Sequence, residues 1–94
     1  MRISGLIWLE DIVQKLIWKH SVTQKEVSEV FANSPRFRYV EKGHREDENL
    51  YVAQGQTDGG RFLQVFFVYK TNRQALILSV RNMTKAERRK YGKK

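Results

Sequence analysis

The stretch Thr57-Asp58-Gly59-Gly60-Arg61-Phe62-Leu63-Gln64-Val65-Phe66-Phe67-Val68-Tyr69 decides how the chain is read. Its first four residues hold an Asp-Gly pair, which favours a tight hairpin whose two central residues both need positive φ. Residues 61–69 are apolar at both alternations, with Phe62, Leu63, Val65, Phe66, Phe67 and Val68. A strand apolar on both faces is buried on both, so this one is expected at the centre of a sheet.

Working outward, residues 50–56 supply the strand before the hairpin and residues 75–81 a fourth strand after a turn at 70–74. Residues 36–41 alternate with Phe37 and Tyr39 on one face and Arg36, Arg38 and Val40 on the other, which is again the period of a strand. Between them residues 43–48 are polar and read as a loop. Towards the N-terminus the period changes to that of a helix: Leu9, Ile12, Val13, Leu16 and Ile17 share one face over residues 9–19. Thr23 and Glu26 have the T-x-x-E spacing of a capping box, with Val27, Val30 and Phe31 as the apolar face behind it and Asn33-Ser34-Pro35 as the stop. Thr84 and Glu87 repeat that spacing and open a short helix that ends near Tyr91 and Gly92. The expected architecture is one α+β domain over residues 1–94: two N-terminal helices, a four-stranded antiparallel meander and a short basic C-terminal helix.

Composition narrows the function classes. The 94 residues contain no cysteine, which excludes disulfides and thiolate metal sites and fits a reducing, cytoplasmic setting. No apolar run approaches the roughly 20 residues that span a bilayer. The opening segment carries Glu10 and Asp11 and lacks a small-residue cleavage site, so no secretory signal is expected. His20 and His44 have no zinc-like spacing, Glu46-Asp47-Glu48 lacks the glycine of a calcium loop, and Gly55, Gly59 and Gly60 belong to a hairpin rather than a phosphate loop. Neither a metal nor a nucleotide cofactor is expected.

Charge is unevenly placed. Lys and Arg number 18 against 10 Asp and Glu, a net of +8, and residues 81–94 alone carry Arg81, Lys85, Arg88, Arg89, Lys90, Lys93 and Lys94 against Glu87. A local excess of this kind suits a polyanion or an acidic protein; the plain alternative is a solvated helix with a solubilising lysine tail.

Two arginines sharpen the first reading. Arg61 opens the central strand and Arg81 closes the next, so an antiparallel meander returns both to one end of the sheet, where two guanidiniums make a phosphate clamp. Lys19 and His20 end the first helix. Their plain alternatives are structural: His20 as a cation at a helix C-terminus, Arg61 as a strand-end residue lying on the sheet. Metal-free RNA cleavage needs a base for the 2′-OH, cations for the phosphorane and an acid for the 5′-oxygen, and Lys19, His20, Arg61, Arg81 and Tyr91 are residue types that supply them.

The sequence also resembles a known family, the BrnT-type toxins. The resemblance rests on Trp18-Lys19-His20-Ser21-Val22-Thr23 with Glu26-Val27 and Glu29-Val30-Phe31, on residues 51–63, and on Ile77-Leu78-Ser79-Val80-Arg81-Asn82-Met83-Thr84 with Glu87-Arg88-Arg89 and Tyr91. It implies a RelE-like α+β fold, endoribonuclease activity that arrests translation, and a DNA-binding antitoxin through which oligomers form. It assigns catalysis to Lys19, His20, Arg61 and Arg81, and RNA binding to Lys85, Arg88, Arg89 and Tyr91. Three positions depart from the family's habit: Ser21 where glycine is usual, Val80 where alanine is common, and Asn49-Leu50 where an acid–arginine pair often stands. The last leaves Glu46 and Glu48 as the nearest loop carboxylates. The expectation is therefore a metal-independent endoribonuclease toxin; the alternatives are a non-enzymatic basic nucleic-acid-binding module or a surface for an acidic antitoxin.

Overall fold

The structure, a computed structural model, describes residues 1–43 and 48–92. His44, Glu46, Asp47, Lys93 and Lys94, all named above, lie outside the described residues. Eight elements follow in the order β1 (Gly5–Ile7), α1 (Glu10–His20), α2 (Gln24–Ala32), β2 (Arg36–Glu41), β3 (Leu50–Gln56), β4 (Phe62–Tyr69), β5 (Gln74–Asn82) and α3 (Lys85–Gly92). The sheet has the order β1-β5-β4-β3-β2, so β4 is central, as its two apolar faces demand.

The meander is antiparallel throughout, but the sheet is not. β1 adds a fifth strand that pairs parallel with β5, Leu6 opposite Ala75, and makes the sheet mixed. The expectation of four antiparallel strands is corrected to five. Three residues with no alternation and a partner almost seventy positions away leave no local signal.

One face of β4 presents Leu63, Val65 and Phe67, all fully buried with Ala53, Ile77 and Val80 beneath Leu16 of α1 and Val27 and Val30 of α2. Phe67 meets Phe31 and Phe37 edge-on at 5.5 and 6.0 Å, which fixes α2 over β2 and β4. On α1 the stripe is narrower than its sequence implies: Leu16 is buried, whereas Leu9 and Ile17 are exposed. The opposite face of the sheet carries Phe62, Gln64, Phe66 and Val68, and α3 covers only its Phe62–Gln64 end, through Tyr91 against Phe62 and Glu87 against Gln64.

The hairpin between β3 and β4 is tight in a different way from the expected one. Gly60 N–H bonds Thr57 C=O at 3.0 Å and only Gly60, at φ 92°, is left-handed. This is a three-residue loop closed by one glycine, which the second glycine of the Asp-Gly-Gly run permits. Its tip is tied to α2: Asn33 Nδ2 donates to Gln56 C=O and Asp58 Oδ1, and Asp58 N–H donates to Glu29. The tie holds Arg61 in place where β4 begins.

Candidate RNA-facing site at one end of the sheet

Arg61 does not project into solvent. Its Nη2 donates to His20 C=O at 2.6 Å and its Nη1 to Ser21 C=O at 2.8 Å. These are carbonyls at the end of α1, where Ser21 turns the chain into the left-handed region at φ 52°. A guanidinium at a helix C-terminus is favoured by the helix dipole. Arg61 therefore brings a cation to that helix end. The same Nη1 lies 3.4 Å from both oxygens of Glu26, and Arg61 Nε donates to Asn82 Oδ1 at 2.9 Å.

Arg81 is on the other face of the sheet, directly opposite Gln64 of β4. Its Nη1 and Nη2 donate to the two oxygens of Glu87 at 2.7 and 2.8 Å, a bidentate pair, and Nη1 also reaches Asn82 C=O at 3.2 Å. That pairing holds the Glu87 carboxyl at about 2, well below the ordinary 4.5; the Arg81 hydrogen bond is the main cause and the Thr84 bonds add to it, against a smaller desolvation effect. The Arg81 guanidinium is raised in turn by Glu87.

Both glutamates are the third residues of capping boxes. Glu26 accepts from Thr23 N–H while its own N–H donates to Thr23 Oγ1, and Glu87 and Thr84 exchange the same two bonds. In each helix start the capping carboxylate also grips one of the two arginines. Sequence spacing identified the boxes but gave no sign of this second use.

The expected meeting of Arg61 and Arg81 is therefore present as a shared end of the sheet, reached through Asn82 rather than by contact. Asn82 gives its side-chain oxygen to one and its backbone oxygen to the other, and nothing in the sequence singled it out. His20 joins by its backbone carbonyl. Lys19 is exposed and lines a separate hollow of about 400 Å³ with Gln14, Lys15 and Trp18, the last 91% exposed. Among the described residues no hydrogen bond or ion pair ties Lys19 to the arginines.

Lys85, Arg88 and Arg89 are exposed on α3. The Arg88 guanidinium lies 4.5 Å from the centre of the Phe62 ring, and with Arg61, Phe62 and Asn82 it lines a hollow of about 270 Å³. Tyr91 is 7% exposed, packing edge-on against Phe62 at 6.0 Å; it anchors α3 to the sheet. Glu48 is paired with Lys70 at the opposite end of β4, a full strand away from Arg61, which removes it as a base for this site. Among the described residues no three His, Asp or Glu side chains are grouped to hold a metal ion, and no helix is long and apolar enough to cross a membrane.

No curated protein matches the chain. A family model does: the ribonuclease toxin BrnT of type II toxin–antitoxin systems matches residues 8–87, from the turn before α1 to Glu87 of the second capping box. With the match running over all but the two ends of the sequence, the chain belongs to the BrnT family of ribonuclease toxins of type II toxin–antitoxin systems.

Proposed function

We propose that this protein is a RelE-like, metal-independent endoribonuclease that cleaves RNA to arrest translation in the cytoplasm, and that a cognate DNA-binding antitoxin neutralises it and builds the oligomer. The observation that carries the reading is the hydrogen-bonded chain from His20 through Arg61 and Asn82 to Arg81, ending beside the exposed cations of α3. In this reading the 2′-OH attacks the adjacent phosphate, the 5′-oxygen leaves, and His20 handles the proton. Lys19, Arg61 and Arg81 offset the charge that gathers on the phosphorane. Lys85, Arg88 and Arg89 hold the flanking backbone, with Tyr91 keeping their helix on the sheet. An acidic antitoxin surface covering this end would block both groups at once.

The test is incubation of the full chain with single-stranded RNA in EDTA. Cleavage is expected, leaving 2′,3′-cyclic phosphate ends, and His20→Gln is expected to slow it about a hundredfold or more. Intact RNA, together with unimpeded growth on expression, overturns the reading. One observation favours the alternative of a non-enzymatic nucleic-acid-binding module: each arginine already faces a carboxylate. That alternative requires salt-sensitive RNA binding with no strand cleavage.

A further inference from the structure

The hollow between the strand ends and α3 has features that a phosphate clamp does not need. It is walled by Gly60, Arg61, Phe62, Asn82, Met83 and Arg88. Phe62 and Arg88 also wall a second hollow of about 340 Å³, to which Lys85 and Arg89 contribute. The Arg88 guanidinium over the Phe62 ring is a pair of planar groups in the wall shared by both. Unpaired RNA bases stack on just such aromatic and guanidinium planes.

The polar group in the first hollow has a fixed polarity. Arg61 Nε carries a hydrogen and can only donate, so the Asn82 atom 2.9 Å from it must be the amide oxygen. The Asn82 amide cannot flip without setting two donors against each other. Its Nδ2 therefore presents two N–H groups, and no described residue accepts from them. A donor held in that orientation favours a base with a keto oxygen over one with an amine at the same place.

We propose that this hollow is a nucleotide subsite, that one unpaired base stacks there beside Phe62 and Arg88, and that Asn82 makes it prefer uracil or guanine to cytosine or adenine. The proposal rests on the ribonuclease reading for its RNA ligand, but its test does not require cleavage. Uracil and cytosine have the same size and differ along one edge, keto and N–H against amine and bare nitrogen, so the comparison reads that edge and Asn82→Asp assigns the difference to the amide.

The experiment measures binding of the full-length protein to uncleavable 2′-O-methyl hexanucleotides of uridine and of cytidine, beside cleavage of ordinary RNA. The uridine hexamer is expected to bind about fivefold to tenfold more tightly, the worth of one well-placed hydrogen bond. Asn82→Asp keeps the oxygen that Arg61 needs and exchanges the amine for an acceptor. It adds a negative charge that weakens both ligands, so the ratio is the readout, and the ratio is expected to fall to one or invert. Equal affinities in the unaltered protein, no binding of either hexamer, or an unchanged ratio in Asn82→Asp overturns the subsite even if RNA is cleaved. A uridine preference that Asn82→Asp abolishes, in a protein that cleaves nothing, upholds the subsite and fails the ribonuclease reading instead.

Discussion

Replacing Glu87 with glutamine tests how the α3 end of the site is held together. In the native protein Glu87 Oε1 accepts from Arg81 Nη1 at 2.7 Å and Thr84 N–H at 2.9 Å, and Oε2 accepts from Arg81 Nη2 at 2.8 Å and Gln64 Nε2 at 3.0 Å. Glutamine can keep the Thr84 bond with its oxygen. That oxygen also keeps Arg81 Nη1, but the amine then meets Arg81 Nη2 and Gln64 Nε2 donor against donor. Taken at face value, lowering the carboxyl from 4.5 to about 2 corresponds to about 3 kcal/mol. The side chains of Arg81 and Glu87 are 39% and 26% exposed, however, so solvent screening reduces the expected loss to about 1–2 kcal/mol.

The pH dependence follows from the direction of the shift. Glu87 ionises more readily in the folded chain than in the unfolded one, so its contribution is complete above pH 4.5 and fades as pH falls towards 2. At pH 3 less than about half of it should remain. Thermal melts of both proteins at pH 7 and pH 3 measure this, and a loss of 1 kcal/mol shifts Tm by about 4–8 °C in a domain of this size. A gap at pH 7 worth less than about 0.5 kcal/mol, or a gap equally wide at pH 3, refutes the reasoning.

Arg61→Ala is expected to cost about 2 kcal/mol in urea unfolding, because the ends of α1 and β4 lose their charged donor, and to abolish cleavage; Arg61→Lys should recover part of the stability but not the fork of bonds to His20 and Ser21. If Arg61→Ala unfolds at the native urea midpoint, the guanidinium is not the fastener described. Gly55→Ala should destabilise by about 1–3 kcal/mol, since the added Cβ would lie 3.0 Å from Val30 Cγ1 and 3.3 Å from Pro35 Cβ; an unchanged melt would show that α2 yields more than this packing implies. Lys85→Ala should lower RNA affinity and reduce the slope of log affinity against log salt by about one; an unaltered slope removes Lys85 from the RNA backbone.

The fold was legible where its signals were local. Strands β2 and β3 occupy the residues their alternation marks, β4 and β5 differ by a residue at their ends, and both T-x-x-E boxes form with both reciprocal bonds. What was illegible was non-local: β1, whose parallel partner is β5, and the partners of the two arginines. Arg61 and Arg81 could be placed at one end of the sheet by counting strands, but the counting says nothing about faces. A β-bulge near Ile77 and Leu78 shifts the β5 register and puts Arg81 opposite Gln64, on the α3 side of the sheet rather than the face under α1 and α2. Asn82 was invisible for the same reason. Its role depends on Arg61, twenty-one positions away, turning its Nε towards it.

The two arginines are not equivalent in what they can still do for a ligand. A guanidinium has five N–H donors. Arg81 gives two to Glu87 and one to Asn82 C=O, which leaves two, on a side chain 39% exposed. Arg61 gives one each to Asn82, Ser21 and His20 and turns a fourth towards Glu26, which leaves one, on a side chain 28% exposed. A phosphate can therefore join Arg81 without displacing the carboxylate, whereas at Arg61 a second donor comes only at the expense of the bonds that hold the end of α1. In the proposed reading Arg81 therefore has more donors to offer a phosphate, and Arg61 meets it with fewer because it also holds the His20 carbonyl and the Asn82 amide oxygen. Each capping glutamate then serves twice: it starts its helix, and it fixes the arginine whose charge the helix N-terminus would otherwise repel.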